Sequence, residues 1–142
     1  MIRDEASFPK EDMKSLLSNI GLPVYEISKS HWIIEMSHRH VKYGAEIIEN
    51  SQWISCSALL VGLDKMPENQ KICRFILELN ARLNAAYVAL QEDKLMLVKV
   101  TSTEDFREYN LYRDLTSFHV THEYVYEQLL NTAEEMNIQF KF

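Results

Sequence analysis

The apolar positions of this chain change period several times along its length. Between about Pro9 and Ile20, Met13, Leu16, Leu17 and Ile20 recur at helical spacing. Ser7 suits the cap of that helix, Pro9 its first turn and Gly21 the position just past its end. "PVYEI" reads as either a short extra strand or a lead-in. Three strand-like stretches then follow. "HWIIEMS" sets Trp32, Ile34 and Met36 on one face, and "VKYGAEIIE" does the same for Val41, Tyr43, Ala45 and Ile47. "QWISCSALLVG" sets Ile54, Cys56, Ala58 and Leu60 against Trp53, Ser55, Ser57, Leu59 and Val61. The connections "HRH" and "NS" are short enough for antiparallel hairpins.

Pro67 opens a helical stretch, "PENQKICRFILELNARL", striped by Ile72, Phe75, Ile76, Leu79 and Leu83. "AYVALQE" and "KLMLVKVT" read as a hairpin across the "ED" link, with Met96, Val98 and Val100 on the core face of the second strand. A long closing helix starts between Thr103 and Tyr109 and runs to about Met136. Its stripe is Leu111, Leu115, Phe118, His122, Val125, Leu129 and Met136. The order α-β-β-β-α-β-β-α predicts an α+β fold built on one antiparallel sheet.

The length of 142 residues suits one domain over 1–142, and 46% hydrophobic content suffices for a core. A net charge of −6 argues against nucleic-acid binding and against anionic membrane surfaces. On charge alone, a basic or amphipathic partner is favoured. The N-terminus has no apolar signal region and no apolar run spans a bilayer, so the expected location is cytoplasmic. Cys56 and Cys73 are expected to be reduced, buried and small-apolar in character.

The densest set of metal-ligand types is "HVTHEYVYE", residues 119–127. It matches neither His-Glu-x-x-His nor His-x-x-Glu-His. His122 lies in the apolar stripe between Phe118 and Val125, which explains it as a hydrogen-bonded core histidine. The alternative is a metal- or small-molecule-dependent enzyme or sensor using His119, His122 and Glu123. His31, His38 and His40 read as solvated strand ends. There is no Gly-x-Ser-x-Gly, and Gly21, Gly44 and Gly62 are too far apart for a phosphate loop. No cofactor is expected.

Apolar excess is the more informative anomaly. Trp53, Leu59 and Val61 lie opposite the core residues of their strand, as do Leu95 and Leu97 opposite Met96, Val98 and Val100. A sheet face open to water should be more polar. These five residues are the candidate partner or dimer interface.

From "LLVGLDKMPENQ" through "FILELNARLNAAYVALQEDKLMLVKV", the chain resembles the YbjN family and, in element order, the type III secretion chaperones. The resemblance rests on the Pro-opened helix, Leu79-Asn80 with Arg82 and Leu83 near its end, and the acidic turn Glu92-Asp93. Two departures are a turn without glycine and a closing helix rich in His and Tyr. The resemblance implies a small, acidic, cytoplasmic, non-enzymatic homodimer, chaperone-like or regulatory, that binds a protein client.

Overall fold

The computed structural model describes residues 13–63, 70–103, 108–136 and 140–141. The fold is α+β, with an antiparallel sheet and, among the described residues, three helices. In chain order the elements are α1 (Met13–Ser18), β1 (Val24–Ser28), β2 (His31–Ser37), β3 (Lys42–Glu49), β4 (Trp53–Leu63), α2 (Gln70–Arg82), β5 (Tyr87–Gln91), β6 (Lys94–Ser102), α3 (Glu108–Met136) and the two-residue β7 (Phe140–Lys141). "PVYEI" therefore yields a strand, β1. The proposed caps Ser7, Pro9 and Pro67 lie outside the described residues. Gly21 adopts φ +77° just past α1, a conformation without steric cost only for glycine.

The sheet order is β1-β2-β3-β4-β6-β5, and β7 pairs with the end of β4 at Gly62 and Leu63. Each described pairing is antiparallel. A crossover from β4 to β5 contains α2, and β6 then returns beside β4. Asn80 near the end of α2 holds this crossover in place. Its side chain accepts from Val88 N–H at 2.7 Å and donates to Val88 C=O at 3.0 Å, so an amide stands in for a strand beside β5. The Asn in the "LN-R" stretch has a backbone-pairing role.

One face of the sheet carries the core. Trp32, Ile34 and Met36 of β2, Tyr43, Ala45 and Ile47 of β3, and Ile54, Cys56 and Ala58 of β4 are all buried there. Met13, Leu16 and Leu17 of α1, Leu79 of α2 and the α3 stripe from Leu111 to Leu129 close over them in the same cluster. The stripe is as expected, apart from Met136, whose side chain lies outside the described set.

Two strand phases differ from the alternation read off the sequence. In β4 the pairing with β6 steps from Leu59↔Met96 to Val61↔Leu95, so Leu60 is an extra residue, a β-bulge. Past a bulge the alternation inverts. Val61 and Leu63 therefore turn inward, and Val61 is 0% exposed. In β6, Leu95 and Leu97 face the core at 0% exposure, while Val100 is 46% exposed. That phase puts Lys99 and Thr101 on the core side. Asp114 of α3 meets both, Thr101 Oγ1 donating at 3.3 Å and Lys99 Nζ lying at 3.9 Å, and Lys99 Nζ also donates to Ala85 C=O at 3.1 Å. Two polar residues on the buried side made the other face look like the core. Val61, Leu95 and Leu97 are therefore core residues and not part of an exposed interface. Cys56 is buried as expected, but Cys73 is exposed; both are free thiols.

The phase of β6 can be read by mutation. Leu97→Ala should destabilise by about 3 kcal/mol, the cost of a cavity at a fully buried leucine. Val100→Thr should stay within about 0.5 kcal/mol, as exposed substitutions do. Urea unfolding compares the two, and equal losses would place both residues on the same kind of surface.

Candidate functional site

The residues with the most chemistry meet where the β2–β3 turn crosses α3 at the bulge of β4. The turn brings His38, Arg39 and His40, β3 brings Tyr43, and α3 brings His119, His122, Glu123, Tyr126 and Glu127. On α3 the spacing of three and four residues puts His119, His122 and Tyr126 on the face toward the sheet.

His122 is fully buried. Its Nε2 lies 2.9 Å from the Leu59 carbonyl, at the bulge where the ladder is locally disturbed. Its Nδ1 lies 2.9 Å from His38 Nε2. His38 Nδ1 in turn is 3.2 Å from the backbone N–H of His40. These contacts fix the protons. A carbonyl only accepts, so His122 carries its proton on Nε2. A backbone N–H only donates, so His38 Nδ1 is bare and His38 carries its proton on Nε2. The middle bond then runs from His38 Nε2–H to His122 Nδ1. The chain His40 N–H to His38 to His122 to Leu59 C=O is satisfied at every link when both rings are neutral.

The electrostatics agree. Burial lowers the pKa of His122 from 6.5 to about 4, and the Leu59 hydrogen bond opposes this only in part. Burial also lowers His38, against the pull of Glu123 in the other direction. Tyr43 stacks on His122 with ring centroids 3.8 Å apart and planes 9° from parallel. Burial raises the Tyr43 pKa, so its phenol keeps its proton, and its hydroxyl lies 2.8 Å from His119 Nδ1.

A rim of ion pairs surrounds this centre. Arg39 Nε lies 3.3 Å from Glu123, and its other nitrogen Nη2 bonds Glu127. His40 Nε2 lies 3.1 Å from Glu127. The His40 hydrogen bond, then Arg39, lower the Glu127 pKa. The "HRH" turn is thus anchored to α3, where the sequence suggested a solvated loop.

His119, His122 and Glu123 each engage a different partner: Tyr43, the His38–Leu59 chain and Arg39. Both nitrogens of His122 are used by the protein, which leaves no lone pair for a metal and no free base. Among the described residues, no group of three or more His, Cys, Asp or Glu is arranged to hold a metal ion. The cluster acts as a clasp between turn, sheet and helix. Sequence reasoning found His122 and its hydrogen-bonded character but missed His38, Arg39, Tyr43 and Tyr126. The only available signal was the histidine-rich turn, and nothing local assigns it to α3.

The other candidate surface is the face of the sheet away from the helices. Trp53 and Leu59 are there, 48% and 46% exposed. Strand pairing puts Ile48 and Val100 on either side of Ser55, and Val98 beside Tyr87. Ile48, Tyr87 and Val100 are exposed as well. The half-buried Ser55 and Ser57 form a low centre flanked by larger apolar groups.

No family model matches this chain, and no curated protein matches it. Among solved structures, it is similar to the crystal structure of YbjN from E. coli, described as a proposed transcription regulator. The TM-score is 0.62 at 14% sequence identity, covering 89% of this chain and 91% of that one. The fold is YbjN-like. No described helix is long and apolar enough to cross a membrane.

The histidine clasp predicts a specific pH dependence. Between pH 6.5 and about 4 the unfolded chain binds a proton at His122 that the native chain excludes. The stability from this group is therefore fully present above pH 6.5 and is lost as pH falls toward 4. The loss is about 3 kcal/mol, at roughly 1.4 kcal/mol per pH unit. Urea unfolding across pH 7 to 5 should show the decline, and His122→Gln should largely flatten it. An equally steep decline in the variant would assign the effect to other groups.

Proposed function

We propose that this chain is a non-enzymatic protein-binding module of the cytoplasm, chaperone-like or a regulatory adaptor, that works as a homodimer through the outer face of its sheet. The observation that supports this is the apolar surface formed by Ile48, Trp53, Leu59, Tyr87 and Val100, each 41% to 48% exposed. Met13, Leu16 and Leu17 of α1, Leu79 of α2 and Leu111, Leu115, Phe118, Val125 and Leu129 of α3 belong to the cluster on the opposite face. A contiguous apolar patch on a folded chain marks an interaction site. Aromatic residues such as Trp53 and Tyr87 are the usual anchors of such interfaces, because they bury much area at little entropic cost.

Charge limits the partners. At −6, the chain is suited to a basic or amphipathic polypeptide and not to the phosphate backbone of nucleic acid. The regulator description of the YbjN structure supports a regulatory role. With this charge, such a role would act through protein contacts. The clasp supports the non-enzymatic reading, since its buried histidines are committed to structure.

Sedimentation velocity over a concentration series provides the test. The wild-type chain should approach twice its 16.7 kDa mass as concentration rises. Trp53→Glu combined with Val100→Glu should remain monomeric with an unchanged circular dichroism spectrum, because both side chains are exposed. A wild-type chain that stays monomeric at every concentration, or a double variant that still dimerises, would contradict the outer-face dimer.

A further inference from the structure

The β2–β3 turn is closed by two local hydrogen bonds, and one of them involves a group that titrates. His38 N–H donates to Val41 C=O at 3.0 Å. His38 Nδ1 accepts from His40 N–H at 3.2 Å, and His38 Nε2 faces His122 Nδ1 at 2.9 Å. The chain from His40 to Leu59 ends on a backbone N–H and a backbone carbonyl, which cannot exchange roles. It therefore holds two ring protons and no more. A third must sit on His38 Nδ1 against the His40 N–H, or on His122 Nδ1 against the His38 Nε2–H. Either position sets two donors face to face. His38 yields first, because it is half-buried where His122 is fully buried, and the exposed His40 backbone can turn to water.

The groups around His38 bear on this step from three elements. The turn itself brings Arg39 and His40, and α3 brings His119, His122, Glu123, Tyr126 and Glu127. β3 brings Tyr43, while strand alternation turns Lys42 to the other face of the sheet. Tyr43 and Tyr126 keep their protons, because burial raises both. Burial lowers His38 below its ordinary 6.5; Glu123 opposes this, and His119, His40 and Arg39 add to it. We propose that the turn is an acid-released latch on α3: neutral His38 keeps it closed, and one proton on His38 Nδ1 opens it while the sheet and the α3 core stay folded. The displaced peptide carries Arg39 and His40, which hold Glu123 and Glu127. Opening therefore frees two carboxylates one helical turn apart on α3. The closed turn excludes a proton that the open turn accepts near 6.5, so acid favours the open form, by up to about tenfold per pH unit. The latch rests on the histidine clasp and not on the outer-face dimer, so the two can fail separately.

Nitrogen–proton spectra of the ¹⁵N-labelled full chain, followed from pH 7.5 down to unfolding, report both the ring protons and the amide protection factors. His38 Nδ1 should gain its proton with a midpoint below 6.5, and the His40 amide should lose protection at that same midpoint. The amides of Ile34 in β2 and Phe118 in α3 should keep theirs. His38→Asn supplies an acceptor for the His40 N–H that does not titrate, so in that variant protection at His40 should no longer fall with pH. Four results would each overturn the latch: a His38 ring that stays neutral until the whole chain unfolds, a His40 amide still protected after His38 is charged, loss of protection at Ile34 and Phe118 with the same midpoint, or an unchanged fall at His40 in His38→Asn.

Discussion

The closure of α3 over the sheet depends on one buried histidine meeting one misplaced carbonyl. β4 must carry an extra residue at Leu60, and the disturbed ladder leaves a backbone acceptor under the closing helix. An unpaired carbonyl in a core costs about 1–3 kcal/mol. His122 satisfies it, but an imidazole donating from Nε2 needs a donor for its own Nδ1. His38 supplies that donor, and its remaining nitrogen is satisfied by the His40 backbone. The polar residue inside the apolar stripe is thus compatible with burial only because the β2–β3 turn closes against α3 at the same place. The Arg39 and His40 pairs with Glu123 and Glu127 then fasten the exposed side of the same junction.

The bulge also determines which residues remain outside. It turns Val61 and Leu63 inward while Leu59 stays exposed beside Met96. The outer face consequently retains the apolar groups that precede the bulge, with the exposed side chains of β3, β5 and β6 next to them. The clasp and the proposed dimer surface occupy opposite sides of β4, and the same one-residue insertion shapes both.

Element order, both sets of hairpins and the α3 stripe were legible because each rests on a strong local period. Leu111 to Leu129 show one unbroken helical face. The phase of β6 was not legible, because apolar residues occupy both of its faces. Lys99 and Thr101 tipped the count toward the wrong one, and their burial depends on Asp114, a tertiary partner that no local pattern reveals. The bulge at Leu60 was equally hidden, since "ALLVG" is consistent with alternation or with its interruption. The same limit applied to the site. His122 could be recognised as a core residue, but its pairing with His38 spans 84 positions and exists only in the folded chain.

The protonation pattern of the clasp is the most direct test of this account. Long-range nitrogen–proton correlation spectra of the imidazole rings at neutral pH distinguish the two neutral tautomers from the imidazolium. The account predicts that His38 and His122 are both neutral with the proton on Nε2, and that both Nε2 protons are slow to exchange with water. A proton on Nδ1 of either ring, or a charged ring at neutral pH, would break the chain from His40 to Leu59 and contradict the account.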